Sequence, residues 1–171
     1  MLDIDDLTTV TLDLAKTRES EFPGFVILFK KSPPHLLMDI NFSNDEEKDM
    51  LYDTYRFLFQ KHDCYAYSMA FEAWYSETDN DRPSLADDRQ DCFALTVKDS
   101  RTEEFKLLVA VKDEIRENND AIIAGDNIQL DNPYRITTPK LKIRKLSDLI
   151  PKEWLEIEKL PANKDGSLRT H

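Results

Sequence analysis

Phe93, Leu95 and Val97 alternate with other residues, and Phe105, Leu107, Val109 and Val111 do so again after a link that runs only from Asp99 to Glu104. Alternation at period two marks strands with one apolar face. A parallel crossover needs about a dozen residues or more, so this link closes a hairpin and commits the sheet to antiparallel pairing. Lys106 and Lys112 take the opposite face of the second strand. A longer alternation lies upstream, where Tyr65, Tyr67, Met69, Phe71, Ala73 and Tyr75 interleave with Ala66, Ser68, Ala70, Glu72 and Trp74.

The segments around these strands complete the plan. Residues 3–18 read as a helix with Leu7, Val10, Thr11 and Leu14 on one face and Asp3 placed to cap its start. Phe25-Val26-Ile27-Leu28-Phe29 is a continuous apolar run, the pattern of a strand covered on both faces. Pro33-Pro34 breaks it, and Leu36 to Phe42 returns as the second strand of a hairpin. Ser43-Asn44-Asp45-Glu46 predicts a capping box, with Ser43 accepting from the Glu46 N–H and Glu46 reaching back to the Ser43 N–H. That helix should run to about His62, turn Leu51, Tyr55 and Leu58 to the sheet, and place His62 where the helix dipole favours a cation.

Beyond Glu117 the pattern thins. Leu141 and Ile143, set between Lys140, Lys142 and Arg144, read as an edge strand with a charged outer face. Ser147 to Lys159 reads as a short helix interrupted by Pro151. The expected fold class is α+β, a mainly antiparallel sheet of five or more strands packed against two principal helices. A chain of 171 residues suits one domain, taken as 1–160, with 161–171 as a C-terminal tail.

Only Gly24, Gly125 and Gly166 are available, so most turns with positive φ fall to Asn or Asp; Asp79-Asn80-Asp81 and Asn118-Asn119-Asp120 are the expected places. Three scattered glycines also remove P-loop and dinucleotide fingerprints. His35, His62 and His171 are far apart and form no zinc-ligand spacing with Cys64 and Cys92, so neither a metal site nor a cofactor is expected. No Gly-x-Ser-x-Gly elbow occurs. If the strands that Cys64 and Cys92 open are antiparallel neighbours, the thiols lie at opposite ends of the pair, beyond disulfide reach. Two buried, reduced thiols then point to a cytoplasmic location.

The formal net charge is −11, which argues against nucleic-acid or anionic-membrane binding by the surface as a whole. Its distribution is uneven. The segment 135–152 carries a net +5, leaving −16 on the remainder. Lys140, Lys142, Arg144 and Lys145 are its densest part. This basic segment reads as an internal clasp on an acidic body, with a docking surface as the other reading. Direct nucleic-acid binding is expected nowhere else. No stretch is long and apolar enough to span a bilayer, and the opening Met1-Leu2-Asp3-Ile4-Asp5-Asp6 predicts no secretory signal.

Carboxylates are the remaining source of chemistry. Two Glu-x-Lys triplets occur, Glu46-Glu47-Lys48 at the helix start and Glu104-Phe105-Lys106 on a strand. The second lies on a strand, as a metal-dependent nuclease of the Asp…Glu-x-Lys type requires, but its acidic partner would have to be Asp99 across the tight hairpin or Asp91 at the far end of the neighbouring strand, and neither is well placed. Glu72 interrupts an apolar strand, and a buried carboxylate is costly unless paired. Arg89 is the expected partner, with Arg82 as the alternative, in a structural ion pair that would pin the loop 76–90.

The stretch Phe71-Glu72-Ala73-Trp74-Tyr75, followed by a polar loop and then Asp88-Arg89-Gln90-Asp91-Cys92-Phe93-Ala94-Leu95-Thr96-Val97, resembles a pattern in small uncharacterised proteins of phages and mobile elements. There a Glu-Ala-Trp strand precedes an Asp-Arg-x-acidic strand. The resemblance covers about thirty residues. It implies a viral or prophage setting and no particular activity. Three functions remain in contention. The first is a non-enzymatic acidic protein that binds a host protein. The second is a metal-dependent hydrolase using Glu72, Asp88, Asp91 or Glu104. The third is a homo-oligomeric assembly protein.

Overall fold

In a computed structural model of the chain, the described residues are 1–17, 24–78, 85–111, 114–117, 129–132, 158–160, 162–163 and 165–167. They form α1 (Ile4–Thr17), β1 (Gly24–Lys30), β2 (His35–Asp39), α2 (Asp45–Lys61), β3 (Cys64–Tyr75), β4 (Gln90–Asp99), β5 (Glu104–Val111), β6 (Glu114–Glu117) and β7 (Glu158–Leu160). The strands make one seven-stranded sheet in the order β6-β5-β4-β3-β1-β2-β7. All of its pairs are antiparallel. The α+β class and the antiparallel sheet are thus observed, and both hairpins stand where the short links required them.

Two of these strands go beyond the sequence reading. β6 is a four-residue return from β5, and β7 occupies positions 158 and 159 that had been expected to end a helix. The rest of that expected helix lies outside the described residues, as do the edge strand at 140–144 and both expected Asn/Asp turns. Positive φ is instead found at Asp63 (51°) and Glu103 (61°), the second in the β4–β5 hairpin. Gly24 has a reason to be glycine. Its φ is 133°, and a Cβ there would stand 2.9 Å from the Ala70 carbonyl oxygen where β1 meets β3.

Both helices begin on side-chain caps. Asp3 Oδ1 accepts from the Asp6 N–H at 2.9 Å, as expected for α1. For α2 the expected box is shifted by one residue. Asn44 caps the helix, accepting from the Glu47 N–H at 2.9 Å, and Glu47 Oε2 accepts from the Ser43 N–H at 2.7 Å. Asn44 serves as well as Ser at this position, and the acidic residue three places on then becomes Glu47. His62 does end α2, but burial lowers its pKa, and Lys30, Lys61 and Lys159 lower it further. The basic residue in the last turn of α2 is Lys61.

The register assigns each core cluster to a face. Phe25, Ile27, Phe29, Ala66, Ala70, Leu95, Val97 and Leu108 share one face and pack with Leu7 and Val10 of α1. Val26, Leu28, Met38, Tyr67 and Met69 share the other and pack with Leu51, Tyr55 and Leu58 of α2. β1 is buried on both sides, as its unbroken apolar run required. Farther along the α2 face, Cys92, Ala94, Leu107, Val109 and Val111 form a third buried cluster.

Thr96 is the exception on that face. It lies between Met69 and Leu107, is 3% exposed, and its hydroxyl has no hydrogen-bond partner among the described residues. An unsatisfied buried hydroxyl costs about 1–3 kcal/mol, so Thr96→Val should raise stability by about 1 kcal/mol. Chemical denaturation measures this; an unchanged or lower midpoint would show that the hydroxyl is not a burden.

The described part of the expected tail belongs to the body. Ala162 is buried, and Gly166 packs against Leu2 and His35. Leu2 is itself held at both backbone groups. Its N–H donates to the Tyr65 hydroxyl at 3.2 Å, and its carbonyl accepts from Arg101 Nη2 at 2.6 Å.

Candidate functional site

The residues singled out in the sequence fall at two ends of the sheet. Glu72 pairs with Phe93, and Trp74 with Asp91, so all four share the face that α1 covers farther along. Glu72 is exposed. The burial that would have demanded an ion pair is absent, because β3 runs past the covered part of the sheet after Ala70. Arg89 lies with its guanidinium 5.4 Å from the centre of the Trp74 ring, a cation–π arrangement. Arg82, the alternative partner, lies outside the described residues.

Asp88 closes the base of the loop. It accepts from Ser76 Oγ at 2.6 Å, Thr78 Oγ1 at 2.9 Å and the Glu77 N–H at 3.1 Å. These bonds, the Ser76 hydroxyl foremost and the Thr78 hydroxyl next, hold its pKa below the usual carboxylate value. Such a carboxylate is occupied in structure.

Glu104 and Lys106 sit at the other end. Glu104 starts β5 opposite Asp99, and Lys106 pairs with Asp5 of α1, a bond that raises the lysine's pKa. Asp91 and Asp99 lie eight residue steps apart on β4, a span of about 27 Å at ~3.4 Å per residue. A metal with ~2 Å bonds to oxygen cannot bridge the two ends. Among the described residues no group of three His, Cys, Asp or Glu is placed to hold a metal ion. Glu72, Asp88, Asp91 and Glu104 therefore do not converge into the carboxylate site that the hydrolase reading needs. Lys140, Lys142, Arg144 and Lys145 lie outside the described residues.

Both thiols are buried and free, and burial pushes Cys92 up to about 11 and Cys64 up to about 12. Neither has thiolate character at neutral pH. Cys64 opens β3 while Cys92 pairs with Ala73 near its end, the opposite-ends arrangement expected of them.

What the register does assemble is a platform. Glu72, Phe93, Ala110 and Ile115 form one row across β3, β4, β5 and β6, with Trp74 and Asp91 in the next. The row spans about 14 Å at ~4.8 Å per strand. Trp74 is 46% exposed and Ile115 49%, while Phe93 and Ala110 are half-buried. On the opposite face of the sheet Arg116 binds Glu114 at 2.9 Å, bonds to Glu77, and donates to the Tyr75 hydroxyl at 3.3 Å. The sequence reading missed Ile115 because β6 is too short to show a period. Burial was expected at Glu72 because the strand around it is apolar, yet on that face burial stops at Ala70. The charge at Glu72 was the signal that the face opens there.

The chain matches no protein-family model, no curated protein and no solved structure. No helix among the described residues is long and apolar enough to cross a membrane.

Proposed function

We propose that this chain is a non-enzymatic interaction protein that docks a protein partner on the Trp74 platform. The exposed Trp74, with Arg89 over its ring and Glu72 and Asp91 beside it, carries the reading. Trp and Arg dominate the energetics of protein interfaces, and a half-exposed Trp on a rigid sheet presents area without an ordering cost. The net charge of −11 favours a partner with a basic contact surface. The phage or mobile-element setting that the resemblance implies would make that partner a host protein.

The test is a comparative pull-down with the wild type and Trp74→Ala as baits. The wild type should retain a stoichiometric partner that leaves as salt is raised. Losing a hot-spot Trp costs about 2–4 kcal/mol, so the variant should bind about 30-fold or more weakly with its melting temperature nearly unchanged. Equal capture by both baits, or no partner at low salt, would refute the docking face.

A further inference from the structure

His35 opens β2 and is 1% exposed. Both ring nitrogens are in use. Nδ1 accepts from the Lys30 N–H at 3.2 Å, and Nε2 donates to the Gly166 carbonyl at 3.0 Å. This pattern requires the neutral ring with its proton on Nε2. The edge of Phe29 packs on the ring at 5.0 Å between centroids.

Gly166 belongs to a strap made of residues 158–160, 162–163 and 165–167. Its strand, β7, pairs with β2 through His35–Leu160, Leu36–Lys159 and Leu37–Glu158. Its turn is closed by Asn163 N–H to Ser167 O at 2.8 Å, and Asp165 accepts from the Ser167 N–H at 2.9 Å and hydroxyl at 2.6 Å. Among the described strands β7 is the shortest, at three residues on the sheet edge, the kind of element that local opening favours.

We propose that His35 is an acid-sensitive latch: the neutral ring holds the strap on the β2 edge, and protonation of the ring releases it.

A proton added at Nδ1 points at the Lys30 N–H, so two donors face each other and Lys30 loses its acceptor. The new cation is cut off from water by Phe29 on one side and the Gly166 turn on the other. To regain water the ring must move, and Gly166 moves with it. Among the described residues, the titratable groups on the surrounding elements are Lys30 on β1, Tyr65 on β3, His62 at the end of α2, Lys159 on β7, Asp165 in the turn and the N-terminal amine near Asp165. Asp165, the carboxylate among them, is committed to Ser167.

Burial lowers the His35 pKa from 6.5; the Gly166 bond raises it and Lys30 lowers it, with a net downward shift. A depressed folded value means that the latch contributes fully above about 6.5 and is lost as pH falls through the folded pKa.

Amide hydrogen exchange at pH 7.5 and 5.0, corrected for intrinsic rates, tests the latch. Protection of Lys30 and of the strap should fall at least tenfold relative to β3 and β4 in the wild type. It should stay constant in His35→Gln, which cannot titrate. Strap protection that tracks β3 and β4, or an equal fall in the variant, would overturn the proposal. Should the variant fail to fold, NMR of the wild-type rings decides. Strap opening must share its midpoint with His35, and a midpoint shared with His62 or His171 instead would refute the latch.

Discussion

Arg56→Met is expected to lower the unfolding free energy by about 3–5 kcal/mol. Arg56 and Asp53 lie one turn apart on α2, with Nη1 and Oδ1 at 2.8 Å and side chains 4% and 1% exposed. Arg56 Nε also donates to the Gln129 carbonyl at 2.9 Å, tying the helix to the segment that carries the fully buried Leu130. Removing the cation leaves a buried carboxylate in a medium that penalises charge. The pair itself need not be worth that much, because forming it already required desolvating both ions. The double variant Asp53→Leu/Arg56→Met should therefore lose less than the single variant. Urea denaturation of both measures the difference; a double variant as unstable as the single one, or worse, would show that the loss comes from something other than burying Asp53 without the Arg56 cation.

Arg101→Met should cost about 2–3 kcal/mol at neutral pH and should change the response to acid. Arg101 grips Asp99 through Nε at 3.0 Å, Nη2 at 2.8 Å and its own N–H at 3.0 Å. It also holds the Leu2 carbonyl and lies 4.5 Å from the centre of the Tyr65 ring. The Asp99 side chain is almost fully buried while Arg101 remains about one-third exposed, so the cost sits below that of a fully buried pair. Burial pushes the Asp99 pKa up, and the bonds from Arg101 outweigh it, so the net shift is below 3.8. A depressed carboxylate contributes stability above its unfolded pKa and loses it as pH falls through the folded value. In the variant the guanidinium is gone and only the residue-101 N–H still opposes burial, so the folded pKa rises. The stability gap between wild type and variant should thus be widest near neutral pH and narrow as the pH is brought to about 3.5. A gap independent of pH would mean that Asp99 is not the group responsible.

Much of the fold was legible because it rests on local rules. The Asp99–Glu104 link is too short for anything but a hairpin, and the 25–29 run is too apolar for an edge strand. The caps were legible to within a residue, since Ser43 and Asn44 are both good N-caps and only the backbone chooses between them. β6 and β7 were not legible. At four and three residues they carry no period, and they are strands only because a neighbour offers its unpaired edge.

The site divides along the same line. Glu72, Trp74, Arg89 and Asp91 were marked by residue type, but their meaning changed with depth. Alternation says which residues share a face, and it says nothing of where along the strand the covering helix stops. On β3 the cover ends after Ala70, which turns an expected buried ion pair into an open acidic and aromatic surface.

By itself, then, the sequence determined strand direction, helix placement, the separation of the two thiols and the absence of glycine-loop and zinc-cluster signatures, because short links, periodicity and residue spacing act locally. Only the tertiary structure decided that Glu72 faces water, that Asp88 closes a loop, that Ile115 joins Trp74 on one face, and that His35 meets Gly166 across 131 positions. Those outcomes depend on which surfaces are left uncovered and which distant groups meet once the chain is packed.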